Sequence, residues 1–200
     1  MEFGVFNNFW DEHPNHLPFL NLRESKDDPK EWNLQTSIAK LYSIQKSHSD
    51  EDINEGIRQL IKSEDWRPHI VASISILSFD SIRRDEFIGM LWDRLSRGSW
   101  TSPQILVVLS IIDKDFKSKA NKIISDGFTV DYSQLTSIEH HVSRGGTGTK
   151  AASAKVVAVI DFILNKTVTD NIDSDQGASI AKRWAERLNK LINEGKIRVG

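Results

Sequence analysis

The segment Arg144-Gly-Gly-Thr-Gly-Thr-Lys150 is the part of the chain whose residue types and spacing suggest chemistry most directly. A helix is predicted to begin near Ala151, and backbone N–H groups at a helix N-terminus bind phosphate or carboxylate groups. Arg144 and Lys150 would add positive charge to such an anion site. The segment is not a nucleotide-binding P-loop, because its order is Gly-Thr-Lys and no strand precedes it. The alternative is a flexible loop whose glycines only meet backbone requirements.

Histidines occur in two close pairs, which raises the question of a metal site. His140 and His141 follow Glu139, and His13 and His16 flank a proline. Adjacent residues of a helix point about 100° apart, so His140 and His141 do not easily face one ion. Neither pair has an evident third ligand, and the chain has no cysteine. We predict structural or surface roles for the histidines, no metal site and no cofactor.

A third group of polar residues lies at the start of two apolar stretches. Arg67 and His69 fall in the first turn of one predicted helix, and Gln104 takes the place of His69 in the other. If these helix starts face a groove, the side chains contact a partner. Otherwise Arg67 pairs with Glu64 or Asp65, and His69 satisfies a loop carbonyl. No Gly-x-Ser-x-Gly elbow or catalytic triad pattern accompanies them, so we predict a non-enzymatic protein.

The elements that would position these residues are indicated by tryptophans. Trp32, Trp66 and Trp100 are spaced 34 residues apart, and each precedes a stretch typical of an apolar helix. A fixed period of this length predicts stacked helical repeats. The second and third copies align when one residue is inserted after Trp100, which pairs Pro68 with Pro103. We expect the tryptophans to pack at repeat junctions, although tryptophan is also enriched among partner anchors.

Amphipathic and nearly all-apolar helices are predicted to alternate in the middle of the chain. The amphipathic ones are 50–63 and 83–97, and the apolar ones are 66–79 and 103–113. An outer helix needs one apolar stripe, whereas an inner helix packed on both sides is apolar almost all round. The alternation predicts an all-α fold, a curved two-layer stack of antiparallel helix pairs with about eight or nine helices.

Later helices are predicted at 116–124, 132–142, 151–164 and 180–192. Asp50 and Ser102 are the predicted N-caps of two helices, and Gly98 and Gly127 the predicted ends of two others. The runs 105–112 and 156–164 are rich in β-branched residues, so strands are the alternative there.

The rest of the sequence indicates the domain organisation, the kind of partner and the cellular location. Residues 1–30 form a predicted aromatic arm packed on a single helical-repeat domain, 31–200. The net charge of -2 and the pI near 6.3 disfavour a dedicated nucleic-acid binder. The N-terminus does not resemble a signal peptide and no apolar run reaches membrane-spanning length. We expect a cytoplasmic protein.

The segments SEDWRPHIVASISIL and RGSWTSPQILVVLSIIDKDF resemble HEAT-type or Armadillo-type helical repeats. The resemblance covers about residues 32–125, and its shared pattern is a helix pair with proline near the start of the inner helix. HEAT-like proteins mostly bind other macromolecules, so the resemblance implies a binding module. Size and the lack of enzymatic motifs suggest a bacterial immunity protein that neutralises a toxin.

Two other functions stay open. Some DNA glycosylases resemble HEAT solenoids and hold DNA in a basic groove, for which the available cations are Arg67, Arg83, Arg84, Arg94, Arg97, Arg144 and Lys150. The other is a scaffold subunit of a larger assembly. For a protein partner, we expect the binding surface on the face of the inner helices or within 139–150. The predicted partner-contacting residues are Arg67, His69, Gln104, Arg144 and Lys150.

Overall fold

Residues 2–11, 13–24, 33–131 and 146–200 are described by the structure, which is a computed structural model. Over these ranges the chain is mostly helical, with one small two-stranded sheet, so the predicted all-α class is confirmed. No helix in these ranges is long and apolar enough to cross a membrane. The helices are α1 (Asn8–Asp11), α2 (Leu34–Ser47), α3 (Asp50–Lys62), α4 (Arg67–Leu77), α5 (Ser81–Arg97), α6 (Ser102–Ile112), α7 (Phe116–Asp126), α8 (Ala154–Asn165) and α9 (Gly177–Asn193).

Two of the predicted N-caps are wrong by one residue. Ser49 caps α3, because its hydroxyl accepts a hydrogen bond from the Asp52 backbone N–H at 3.2 Å. The N-cap of α6 is Thr101, which makes no side-chain cap bond. Gly98 and Gly127 end α5 and α7 as predicted, with φ of +93° and +82°. The stretches 105–112 and 156–164 are helical, within α6 and α8.

A short antiparallel sheet corrects the prediction of a loop at the Gly-Thr segment. Strand β1 (Phe128–Asp131) pairs with β2 (Thr147–Lys150), and Phe128 lies opposite Lys150. The side chains of β1 alternate between buried and exposed positions, as expected for a strand with one face on the core. The predicted helix at 132–142 lies outside the described residues.

Helix α6 lies at the centre of the fold, in contact with α4, α5, α7, α8 and α9. Residues 68–77 of α4 and 102–109 of α6 are all buried. Within the two best-matching repeats, α4 contacts α6 and α3 contacts α5, while α3 packs on α4 and α5 on α6. Helix pairs therefore neighbour one another in this part of the chain.

The segments at the two ends of the chain cover the buried helices. A 3-10 helix (Leu17–Leu20) packs on α4, and α9 packs on α6. The indole N–H of Trp184, which is 1% exposed, donates to the Phe19 carbonyl at 3.0 Å. The Gly200 backbone N–H donates to the Leu77 carbonyl at 3.1 Å and so satisfies an end of α4. The face of α4 and α6, expected to bind a partner, is closed by this chain itself.

Candidate binding cleft

The loops that precede α4 and α6 form the walls of a surface cavity of about 340 Å³, a volume within the ~300–1,000 Å³ range of ligand sites. The first turn of α8 and the turn before α9 complete it. We call this cavity the tryptophan cleft. Its lining residues are Glu64, Trp66, His69, Gly98, Ser99, Trp100, Lys155 and Asp175.

Hydrogen bonds between the two loops hold the cleft in shape. His69 Nδ1 lies 2.8 Å from Ser99 Oγ, and the Thr101 hydroxyl lies 3.4 Å from the Trp66 carbonyl oxygen. The starts of α4 and α6 are therefore side by side. Gly98, with φ of +93°, lets the chain leave α5 in a direction that an L side chain rarely permits. The positions of Trp66 and Trp100 are thus determined by the fold.

Trp100 is the most exposed tryptophan among those described, with 70% of its surface accessible, whereas Trp184 is 1% exposed. The Lys155 ammonium lies 4.8 Å from the centre of the Trp100 ring. Trp66 is half-buried, and the Arg67 guanidinium lies 4.9 Å from its ring centre. The expectation that both tryptophans serve mainly in repeat packing is wrong for Trp100, because most of its ring faces solvent.

His69 forms the inner wall of the cleft and is neutral. Its Nε2 lies 2.9 Å from the Ser63 carbonyl oxygen, which can only accept, so Nε2 carries the proton. Nδ1 then accepts from the Ser99 hydroxyl. Burial lowers the pKa of His69 to about 4, because the charged imidazolium would lose its hydration.

The Ser99–His69 contact has the geometry of a nucleophile beside a base, but its surroundings assign it a structural role. A general base works best with a pKa near the working pH, and a pKa of about 4 makes His69 a weak proton acceptor at pH 7. Ser99 Oγ also accepts from the Thr101 backbone N–H at 3.3 Å, next to the start of α6. The pair joins the two loops.

The structure separates the residues that the sequence grouped as partner contacts. His69 and Gln104 are buried, at 1% and 6% exposure. The Gln104 amide donates to the Leu20 carbonyl at 3.1 Å, so it binds the N-terminal segment. Arg67 is exposed beside Trp66, and its Nη1 pairs with Asp65 at 3.2 Å. Lys150 ends β2 and is not among the residues that line the cleft.

Arg144 lies outside the described residues, as do Trp32, His140 and His141. Thr147 to Lys150 form a strand, and Ser153 Oγ accepts from the Val156 backbone N–H at the start of α8. The predicted anion loop is therefore not placed directly at a helix N-terminus.

The described arginines among those considered for a basic groove bind acceptors of this chain. Arg67 pairs with Asp65, Arg83 with Asp50 and Arg97 with Asp93. Buried Arg84 donates to the Ile76 and Leu77 carbonyls, and Arg94 to the Ser63 carbonyl at 3.0 Å. These interactions pair or bury the charges of the five described arginines, which reduces what they could offer to DNA phosphates.

The described histidines at the N-terminus have local partners. His13 Nδ1 lies 3.1 Å from the Asn15 amide, and His16 stacks on Trp10 with ring centres 5.1 Å apart. No group of three histidine, aspartate or glutamate side chains in the described ranges is arranged to hold a metal ion.

Sequence reasoning missed three lining residues that matter to the charge of the cleft. Glu64 is exposed next to Trp66, and Lys155 Nζ pairs with the Asp175 carboxylate at 2.5 Å. Lys155 and Asp175 reach the cleft only through packing of α8 and α9 on α6, which no local pattern predicts. The proximity of Glu64 to Trp66 in the sequence was the one available signal.

In comparisons with known proteins, no family model, curated protein or solved structure matches the chain. The cleft itself is therefore the basis for assigning a function.

Proposed function

We propose that this protein is a HEAT-like helical-repeat module that binds another protein through the tryptophan cleft. The observation that carries the proposal is Trp100, a 70% exposed indole at the edge of a 340 Å³ cavity. Tryptophan is among the residues most enriched in binding hot spots, which lie where a large ring fills or borders a pocket. An exposed indole that the fold does not need for its core is available to a partner.

A second apolar anchor lies on the turn that leads into the cleft. Ile172 is 95% exposed in a 3-10 helix (Ile172–Ser174), three residues before Asp175. Hydrogen bonds in both directions between Asn171 and Ser174 close this turn. An isoleucine held outward on a closed turn reduces the conformational entropy that this chain loses when a partner binds.

The closure of the inner face also supports a cleft-centred interface. Residues 68–77 of α4 are buried, and the Leu17–Leu20 segment and α9 occupy the positions that a ligand of an open stack would take. The partner surface that remains at the start of α4 is the cleft. Neutralisation of a toxin is the narrower form of the proposal, and it predicts that co-expression restores growth of cells producing the partner.

Site-specific photo-crosslinking tests the proposed interface in cells that produce the protein. A benzophenone amino acid at position 172 should link one protein in stoichiometric yield, and the same group at position 82 should not. Ile82 is 86% exposed in the first turn of α5, beyond the opposite end of α4, and so is a matched control. Trp100→Ala should abolish the link from position 172. Equal yields at both positions, or a link unaffected by Trp100→Ala, would overturn the proposal.

A further inference from the structure

We infer that the tryptophan cleft receives a positively charged side chain of the protein partner, an arginine or a lysine, between Trp66 and Trp100 and beside Glu64. The inference rests on the proposed function and names the chemistry of the group that enters the cavity. Three observations support it: the cations that lie over the two rings, the ion pairs around them, and the acceptors that already bind backbone N–H groups at the nearby helix starts.

The ring faces already attract cations within this chain. Lys155 Nζ lies 4.8 Å from the Trp100 ring centre, and the Arg67 guanidinium lies 4.9 Å from the Trp66 ring centre. Both distances are within the roughly 6 Å over which an indole face stabilises a cation. Both indole rings at the walls of the cleft therefore already interact with cations of this chain, and Lys155 does so as a lining residue.

The charges of these two internal cations are compensated locally. Lys155 pairs with Asp175 at 2.5 Å, and Arg67 pairs with Asp65 at 3.2 Å. Glu64, in contrast, makes no ion pair with any residue that the structure describes. The lining carries two carboxylates and one ammonium, so its net charge is -1, and the uncompensated carboxylate is that of Glu64. A cationic side chain supplies the missing counter-charge.

The helix starts around the cleft leave an anionic group fewer free backbone donors than helix starts usually do. Four helices begin around the cleft, and helix starts ordinarily favour anions. Here several of these backbone N–H groups already have side-chain acceptors: Asp65 accepts from Arg67, and Asp170 accepts from Ala178 and Ser179. Ser99 and Ser153 serve the starts of α6 and α8 in the same way. Neutral His69 adds no positive charge.

A pair of isosteric probes separates charge from shape. N-acetylargininamide and N-acetylcitrullinamide differ at the guanidinium, which is replaced by a neutral urea. In ¹H–¹⁵N spectra of the full chain, the indole N–H signals of Trp66 and Trp100 should move with the arginine probe and saturate in the millimolar range. The citrulline probe should bind at least about five-fold more weakly, because it gains neither the ion pair nor the cation–π contact.

Glu64→Gln is the decisive variant, since Glu64 is exposed and contributes nothing to the core. It should weaken binding of the arginine probe by about five-fold. Asp85→Asn, at an exposed position of α5 away from the cleft, should leave it unchanged. Equal binding of both probes, no binding at 20 mM, or full affinity in Glu64→Gln would overturn the inference.

The crosslinking outcome separates this inference from the proposed function. If the partner is still linked from position 172 in a Trp100-dependent way while the arginine probe does not bind, the partner group is not cationic. In that case the docking site stands and only its chemistry is wrong. If both experiments fail, the cleft is not a docking site.

Discussion

His69 shows how a titratable side chain can be retained inside an apolar helix. Its two ring nitrogens bind the Ser63 carbonyl and the Ser99 hydroxyl, so the buried neutral ring has no unsatisfied polar atom. From the sequence, a partner contact and a loop-carbonyl contact were both open, and the loop carbonyl is the one that forms. The choice depends on Ser99, which lies 30 residues away and reaches His69 only after α4 and α6 pack together.

The buried histidine predicts that stability falls between pH 6.5 and 4. In the unfolded chain His69 has its ordinary pKa near 6.5, whereas the folded value is about 4. In that window the unfolded state binds the proton and the native state does not, so the free energy of unfolding decreases as pH falls. The loss attributable to His69 should be about 2 kcal/mol between pH 7.5 and 5.0 in urea unfolding.

His69→Gln is the matched variant, because glutamine is the residue at the equivalent position 104 of α6. In this variant, most of the decrease in the free energy of unfolding between pH 7.5 and 5.0 should disappear. A residual slope should remain, since burial also lowers the pKa of His16. An unchanged slope in the variant would show that His69 does not stay neutral in the fold.

At the scale of elements, helices with strong local periodicity were predictable and the sheet was not. The stripe of Ile53, Ile57, Leu60 and Ile61 specifies one buried face of α3, and all four residues are buried. Strands β1 and β2 are each only four residues long and lie on either side of residues 132–145. Their pairing depends on contacts distant in sequence, which residue periodicity does not record. Whether the helix pairs belong to the HEAT type stays a prediction.

Two glycines within helices give a test of helix packing. A Cβ at Gly56 of α3 would lie 2.7 Å from Phe6 Cδ2 and 3.1 Å from the Phe3 carbonyl oxygen. Gly56→Ala should therefore push the N-terminal segment off α3 and destabilise the fold by about 1–3 kcal/mol. Gly89 of α5 has nothing within 4 Å of such a Cβ, so Gly89→Ala should stabilise it by about 0.5–1 kcal/mol. Thermal unfolding of the two variants measures both, and shifts of the same sign would contradict this packing.

At the scale of the whole molecule, the segments that close the fold also determine where a partner can bind. The bond from Trp184 to the Phe19 carbonyl links α9 to the N-terminal segment over α4 and α6. The aromatic character of residues 1–30 predicted an arm packed over the first helices, and its described 3-10 helices contact α2, α3 and α4. From the sequence, we expected the partner site on the inner helices. The closure of that face could not be foreseen, because it involves residues more than 160 positions apart and leaves no local pattern. The cleft residues Lys155 and Asp175 were missed for the same reason.

This closure predicts one cooperative unfolding transition, unlike the gradual unfolding that nearest-neighbour repeat stacks can show. Far-UV circular dichroism and tryptophan fluorescence should give coincident curves in urea. Trp184→Phe removes the bond to the Phe19 carbonyl, and the unpaired carbonyl should cost about 1–3 kcal/mol. Both curves should shift together in this variant. A fluorescence transition that precedes the loss of helix would contradict the linkage of the ends.

The affinity of the purified partner for three forms of this chain tests directly whether the tryptophan cleft is the docking site. Isothermal titration calorimetry of the partner with the native chain, Trp100→Ala and Ile82→Ala compares an exposed residue in the cleft with an exposed residue outside it. Trp100→Ala should raise Kd by about 30-fold or more, as expected for a hot-spot residue, and Ile82→Ala should change it by less than about two-fold. Equal affinities of the native chain and Trp100→Ala would contradict docking at the cleft.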